Sequence, residues 1–501
     1  MKRRRLLQGL CVAAVLLIPQ MAWASSFAAS PPVQVSGASP FGEHCGLATR
    51  GPTSHVFRDS EVEPWIDVNP ANGNNIVGSW QQDRWSDGGS RGLVAGVSKD
   101  GGQSWILSPV RGTSKCTGGN YDRASDPWLS FSPDGTLHHA SLSFDVGDDT
   151  TNAILVNKSE DGGLTWSRPK TIIRDTEPAV GNDKETITAD PNDSDYVYVI
   201  WDRFVSPQGE PASATATQRG AWGGPIWFSR STDGGKTYKP AREIYDPGTL
   251  IRTIGSQIVV RPQGQLVNIF DEVRVTRKNS IRGLNVSIIR SKDKGKTWSE
   301  PIRFEKIVAL RINDPDDGDP VRTGGVEIPD IAVDPSNGDL YAVWQDGRFD
   351  DGRHASVALS SSTDGGLTWT PATKINKTPT TIPTGDQQAF TPAVDVAEDG
   401  TVAVSYYDFR HNTANPDTLP TDYWMVHCHP SAARDCSKSG DFGQETRLTG
   451  TPFDMEKAPV AGGYFVGDYE GLANDGGDFT PFFSQTRGVG AASIYFRRVG
   501  P

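Results

Sequence analysis

One octapeptide pattern, Ser-x-Asp-x-Gly-x-Ser/Thr followed by Trp or Tyr, occurs five times in this chain. The copies span residues 98–105, 159–166, 231–238, 291–298 and 362–369, so their starts lie 61, 72, 60 and 71 residues apart. Self-similarity at a near-regular period is the signature of a tandem array. The motif has a mechanical meaning. Aspartate in a tight turn accepts backbone N–H bonds, glycine supplies positive φ, and the terminal aromatic can pack beneath the turn. Strand-like runs precede the copies at 93–97, 153–156, 226–228, 286–289 and 356–359. Each octapeptide therefore reads as a hairpin turn between two strands, and Asp100, Asp161, Asp233, Asp293 and Asp364 read as structural.

Two more strands precede each hairpin. The first begins near proline or an acidic residue, at 64–68, 127–131, 186–189, 257–260 and 328–333. The second leads to an aspartate, as in 76–80 before Asp83, 196–201 before Asp202 and 340–344 before Asp346. Two further units lack the octapeptide: one holds strands at 391–396, 401–407 and 423–427, the other at 470–473, 479–484 and 493–497. The last offers three strands, and residues 33–35 are expected to supply its fourth. The expected fold is all-β, a β-propeller of four-stranded antiparallel blades, with seven counted and six as the alternative. The 54 Gly and 35 Pro among 501 residues favour turns over long helices.

Residues 2–5 are basic, 6–18 are mostly apolar, and Ala22-Trp23-Ala24 has small-x-small form. Residues 1–24 read as a secretory signal, with Arg3-Arg4 also fitting a twin-arginine signal. The apolar run is too short for a comfortable membrane span, so a secreted or periplasmic protein without a membrane span is expected. Residues 25–55 form an N-terminal segment and 56–501 the propeller. Without residues 1–24 the balance is 45 basic against 61 acidic, −16, which argues against nucleic acid as a partner. A glycan or glycoconjugate is the expected partner of a monomer. Four cysteines remain. Pairing of Cys428 with Cys436 and of Cys45 with Cys116 suits an exported chain, and the lack of a CxxC pair argues against zinc.

In an up-and-down blade, first-strand starts and second-strand ends share one rim. First-strand starts carry Glu63, Asp126, Glu185, Glu327 and Asp468; second-strand ends carry Asp83 with Arg84, Arg203, Arg348 and Arg410. Convergence of carboxylates and arginines at a central mouth suits acid/base work and binding of an anionic or polyhydroxylated ligand. Repetition of the Asp-x-Arg pairs also fits structural ion pairs that pin each loop. Tyr469, inside Gly467-Asp468-Tyr469-Glu470-Gly471, could act as nucleophile or acid, or simply pack. Asp314, Asp316, Asp317 and Asp319 lie on one glycine-containing loop, which suits either calcium or solvent; Asp145, Asp148 and Asp149 form a weaker cluster. No cofactor is expected otherwise.

The octapeptides resemble the Asp-box, or bacterial neuraminidase repeat, and residues 61–498 resemble the sialidase-like propeller superfamily. The resemblance implies three arginines on a substrate carboxylate, a tyrosine nucleophile activated by glutamate, and an aspartate acid/base. Arg84, Arg203, Arg348 and Arg410 are then the arginine candidates. Tyr469 is the nucleophile, Glu185 or Glu327 its partner, and Asp126 or Asp83 the acid; Glu63 and Asp468 would contact substrate. The Phe-Arg-Ile-Pro motif of that superfamily is absent, since Phe57-Arg58 is followed by Asp59-Ser60. The function implied is an exported sialidase-like glycoside hydrolase acting on a terminal acidic sugar. The alternatives are a non-catalytic glycan- or protein-binding propeller and a polysaccharide lyase using Tyr or His.

Overall fold

The computed structural model describes residues 27–500 apart from 148–149, 207–222, 277–279, 325–327 and 433. The signal-peptide reading and Glu327 lie outside the described residues. Those described are nearly all β, with no α-helix and five short 3₁₀ turns. No helix among them is long and apolar enough to cross a membrane.

The strands fall into consecutive antiparallel units. Unit one holds Val56–Val68, Ile76–Trp85, Ser90–Ser98 and Ile106–Pro109. Unit two holds Arg123–Phe131, Leu137–Phe144, Asn152–Ser159 and Lys170–Asp175. Unit three holds Val180–Ala189, Tyr196–Val205, Ile226–Thr232 and Arg242–Tyr245. Unit four holds Ile251–Val260, Leu266–Val275, Ile281–Ser291 and Ile302–Lys306. Unit five runs from Asp330–Val333 through Leu340–Asp346 and Ser356–Ser362 to Thr373–Lys374. Unit six runs from Ala389–Val396 through Val402–Asp408 and Pro420–Cys428 to Thr446–Arg447. The last group pairs Gly471 with Phe482–Gly488, then Ala491–Phe496, then Val33–Gln34.

Hydrogen bonds link the innermost strand of each unit to the next. Asp67 accepts from the Phe131 amide at 2.7 Å, Ser130 from Ala189 at 3.1 Å, and Thr186 donates to the Ser256 carbonyl at 3.0 Å. Asp330 is bonded by Gln257 and accepts from the Val394 amide at 2.7 Å. Asn474 donates to Asp395 at 2.7 Å, and the Glu63 amide donates to the Val466 carbonyl at 3.1 Å. Among the described residues no closed sheet is formed; units one and two share one sheet and units three and four another, while the bonds between Ser130 and Ala189, Gln257 and Asp330, and Val394 and Asp330 join separate sheets.

The core lies between faces of neighbouring units, which is why second strands such as Tyr196–Val205 read as apolar runs rather than alternating ones. Val77, Leu93 and Val97 pack against Leu129, Phe131 and Leu137. Trp80, Trp201 and Trp344, each on a second strand, are fully buried. Cys45–Cys116 and Cys428–Cys436 are both joined as disulfides.

All five octapeptides form the same turn. In the first, the Asp100 carboxylate accepts the Ser104 amide at 2.9 Å and the Ser104 hydroxyl at 2.6 Å, and the Ser98 hydroxyl at 2.8 Å. Ser98 Oγ in turn accepts the Gly102 amide at 2.8 Å. The last copy repeats the set on Asp364 with distances of 2.9, 2.6 and 2.9 Å. The Ser104 and Thr237 hydroxyls hold Asp100 and Asp233 down to about 2. These aspartates brace their turns as carboxylates at neutral pH.

Candidate functional site

The site rests on a repeated irregularity of the innermost strands. Pairing with the second strand breaks after Val62, Ser125, Asp183, Ile254 and Phe390. The next residue in each case has positive φ: Glu63 53°, Asp126 52°, Lys184 50°, Gly255 75° and Thr391 48°. These are bulges with a left-handed first residue, and only one of the five carries the glycine such a position favours. A left-handed non-glycine residue costs about 1–3 kcal/mol and persists where surrounding structure requires it. Here it re-aims three side chains so that they meet.

Lys184 Nζ lies 2.6 Å from Asp126, 2.9 Å from Asp468 and 3.2 Å from Glu63. Asp468 is brought in by the Gly467–Gly471 segment. A Cβ at Gly467 would stand 3.1 Å from the Glu63 Cα, and one at Gly471 2.9 Å from the Ile66 side chain, so both glycines let this segment lie against unit one. Asp468 also accepts from Arg322 at 2.8 Å, on the short strand Pro320–Arg322. Arg84 Nη1 lies 3.9 Å from Glu63, and the Arg84 and Arg322 guanidinium groups both stack on Phe465, at 4.7 and 4.5 Å from its centroid. Gln81 completes the set by bonding Glu63.

Lys184, Glu63, Asp126, Asp468, Arg84 and Arg322 line a cavity of about 770 Å³ with Asp183, Arg252, Arg311 and Gln345 also on its wall. Their environments push the carboxyls apart. Burial, reinforced by Asp126 and Asp468, pushes Glu63 up to about 7 against the pull of Lys184. Burial and the Asp126 charge push Asp183 up to about 8. Burial acts upward on Asp468 too, but the Arg322 and Lys184 charges outweigh it and hold this carboxyl well below the usual range. Burial lowers Arg84 to about 10.

Of the residues singled out from sequence, Glu63, Arg84, Asp126 and Asp468 meet at this cavity. Glu185 does not line it. The position equivalent to Glu63 and Asp126 is Lys184, and one residue along a strand reverses the side chain. Glu185 is buried with neither carboxyl oxygen hydrogen-bonded, and burial followed by the Asp126 charge raises it well above its ordinary value. Tyr469 packs behind the cavity against Trp65 and Trp128, with ring centroids at 6.2 and 5.3 Å. Its hydroxyl donates to the Pro127 carbonyl at 3.2 Å, and burial with the Asp126 and Glu63 charges raises it well above 10. That environment opposes formation of a phenolate.

Convergence of the remaining arginines is corrected by the structure. Arg203 bonds Asp175 at 2.5 Å and lies over Trp227. Arg348 bonds Asp346 and Glu305 at 2.8 and 2.6 Å, and Arg410 bonds Asp408 and Glu445, both at 2.5 Å. Asp83 bonds Arg91 at 2.8 Å and the Ser39 hydroxyl at 2.7 Å. None of these four residues is on the cavity wall. Arg203 is held by Asp175 of unit two, Arg348 by Asp346 and by Glu305 of unit four, and Arg410 by Asp408 and Glu445 of its own unit, so of the second-strand arginines singled out only Arg84 reaches the cavity. Sequence reasoning missed Lys184, Arg252, Arg311 and Arg322. The bulge that selects Lys184 over Glu185 leaves no clear mark in the sequence pattern, and nothing local marks the three arginines.

Among the described residues no three His, Cys, Asp or Glu side chains stand together as metal ligands. The acidic loop folds on itself instead, with Asp314 accepting the Asp316 amide at 2.9 Å and Asp317 the Asp319 amide at 2.8 Å.

No protein-family model and no curated protein sequence matches the chain. Solved structures to which it is similar include sialidases, an α-L-arabinanase and an α-L-arabinofuranosidase. An α-L-arabinanase of Penicillium chrysogenum, solved with arabinobiose, shares 17% identity over 76% of this chain and 94% of its own, with TM-score 0.46. The Hadza microbial sialidase shares 16% over 86% of this chain and 75% of its own, with TM-score 0.47. A leech intramolecular trans-sialidase shares 11% over 95% and 98%, with TM-score 0.46.

Proposed function

We propose that this protein is an exported glycoside hydrolase of sialidase-like type, built on a closed seven-bladed β-propeller, that removes a terminal acidic sugar in the central cavity. The observation that carries this reading is the divergence of carboxyls sharing one cavity: Glu63 is pushed up to about 7 while Asp468 is held ionised. Paired carboxyls driven apart by their surroundings mark an acid/base assignment. Glu63 is the proton donor to the leaving oxygen. Asp126 and Asp468 face the positive charge that develops at the anomeric carbon. Arg252, Arg311 and Arg322 supply the cations for a sugar carboxylate, which the net negative charge of the chain would otherwise repel. Tyr469 forms part of the wall. The chain of bonds between innermost strands, and Val33–Gln34 beside the last unit, support closure with seven blades. The signal-like residues 1–24 support export.

The test is turnover of fluorogenic glycosides by wild type and Glu63→Gln. Turnover that falls at least 100-fold in the variant supports the reading; equal turnover removes Glu63 from the chemistry. A second reading, a glycan-binding propeller without turnover, is favoured by the pairing of Arg203 with Asp175, Arg348 with Asp346 and Arg410 with Asp408, which occupies these arginines away from the cavity. It predicts saturable glycan binding that Glu63→Gln leaves intact.

A further inference from the structure

Among the described residues Lys184 is the one cation in contact with three of the cavity's carboxylates. Glu63 comes from unit one, Asp126 from unit two, Lys184 from unit three and Asp468 from the segment entering the last group. All four side chains are buried. An ammonium has three N–H donors, so three carboxylate oxygens exhaust it and leave none for a substrate. Its backbone is held at φ 50°, the same left-handed bulge position that Glu63 and Asp126 occupy in units one and two. The other charged and titratable groups acting on the cluster are Asp183 and Glu185 on either side of Lys184, Glu470 beyond Tyr469, Arg84 from unit one and Arg322 from Pro320–Arg322, while the Tyr469 ring lies 5.4 Å from Nζ.

Resting on the enzymatic reading above, we propose that Lys184 is the positioning residue of this cavity, the built-in cation around which Glu63, Asp126 and Asp468 are arranged for reaction. The ammonium does not touch the sugar. It draws carboxylates from separate units to one point and offsets repulsion that would otherwise spread them. Loss of the cation leaves the carboxylates facing one another, so each holds its proton to higher pH. The descending limb of the kcat profile, set by Glu63, then moves upward in pH.

The test is Lys184→Ala with and without n-propylammonium, which replaces the atoms removed. The expected result is a fall in kcat of at least 100-fold with KM within about threefold, because positioning is lost while the sugar-binding arginines remain. The pH limb moves up, and propylammonium restores at least tenfold of kcat saturably. Tetramethylammonium, which has no N–H donor, restores none. Unchanged kcat and pH profile in Lys184→Ala would overturn the proposal, as would equal rescue by tetramethylammonium. Thermal unfolding provides a readout free of turnover: propylammonium should raise the Tm of Lys184→Ala saturably and leave wild type unmoved. If wild type cleaves no glycoside, the enzymatic reading fails and this shift alone decides the cluster, its absence overturning the assignment. If Lys184→Ala does not fold, Lys184→Arg is read instead. A planar guanidinium cannot reproduce three converging bonds, so a tenfold loss with a shifted limb supports the proposal and wild-type behaviour overturns it.

Discussion

Tyr469 and Lys184 show how one side chain's neighbours decide its chemistry. A tyrosine flanked by carboxyls in a Gly-Asp-Tyr-Glu-Gly run looks like a nucleophile, yet its hydroxyl serves the Pro127 carbonyl and its ring packs edge-on against a stacked pair of tryptophans. Tyr469→Phe is therefore expected to keep kcat within a few-fold of wild type and to lose about 1 kcal/mol of stability, the worth of one neutral hydrogen bond. Steady-state kinetics with denaturant unfolding checks both; a 100-fold loss of kcat would return the nucleophile role to this residue. The carboxylates Glu63, Asp126 and Asp468 were legible in the sequence because acidic residues recur at first-strand starts. The offset between Glu185 and Lys184 was not legible. It depends on one inserted residue per strand, and a bulge changes which side chain points inward without changing the hydrophobic pattern enough to announce itself. Arg322 was hidden for another reason: it reaches the site from a strand that pairs in parallel with Tyr464–Phe465, far away in sequence.

At the scale of the element, the octapeptide turn is readable residue by residue. Asp braces the backbone, Ser closes the loop, and the second glycine lets the turn meet the neighbouring unit. In the first copy Gly102 has φ 92° and a Cβ there would run into the Phe496 ring. Gly118 also has positive φ, at 81°, but a Cβ there meets nothing within 4 Å. Both Gly→Ala changes carry the left-handed penalty of roughly 1–2 kcal/mol, and Gly102→Ala adds overpacking of about 1–3 kcal/mol. Thermal unfolding should place Gly102→Ala clearly below Gly118→Ala. Equal Tm values would mean that the contact with Phe496 yields freely. The octapeptides also explain why the repeated hairpins were legible: a turn with this many fixed bonds leaves a strong mark in sequence. Unit six and the last group, without it, were recognised only by strand pattern.

At the scale of the whole molecule, stability should depend on pH and on the long disulfide. Asp67 and Asp395 are pushed up to about 7 and Asp330 to about 6, each chiefly by burial between inner strands. A carboxyl whose folded value is raised binds its proton more tightly in the native state, so the stability it contributes is full below about pH 4 and is lost as pH rises through 6 to 7. The Tm should decline over that window, and Asp67→Asn should flatten the decline; an unchanged slope would show that Asp67 titrates normally. The Cys45–Cys116 bridge closes a sequence separation of 71 and Cys428–Cys436 one of 8. Chain entropy assigns about 4 and 2.5 kcal/mol to loops of those lengths. Replacement of Cys45 and Cys116 by Ala should therefore lower the Tm more than replacement of Cys428 and Cys436, and the reverse order would locate the stabilisation elsewhere.

The most direct measurement is kcat from pH 4 to 9 for wild type and Glu63→Gln on a panel of fluorogenic glycosides with acidic and neutral terminal sugars. The account predicts turnover of an acidic-sugar glycoside, a kcat that falls as pH rises through about 7 because the proton donor is lost, and a loss of at least 100-fold in the variant. Turnover that Glu63→Gln leaves untouched, or no turnover of any glycoside at high enzyme concentration, would contradict it.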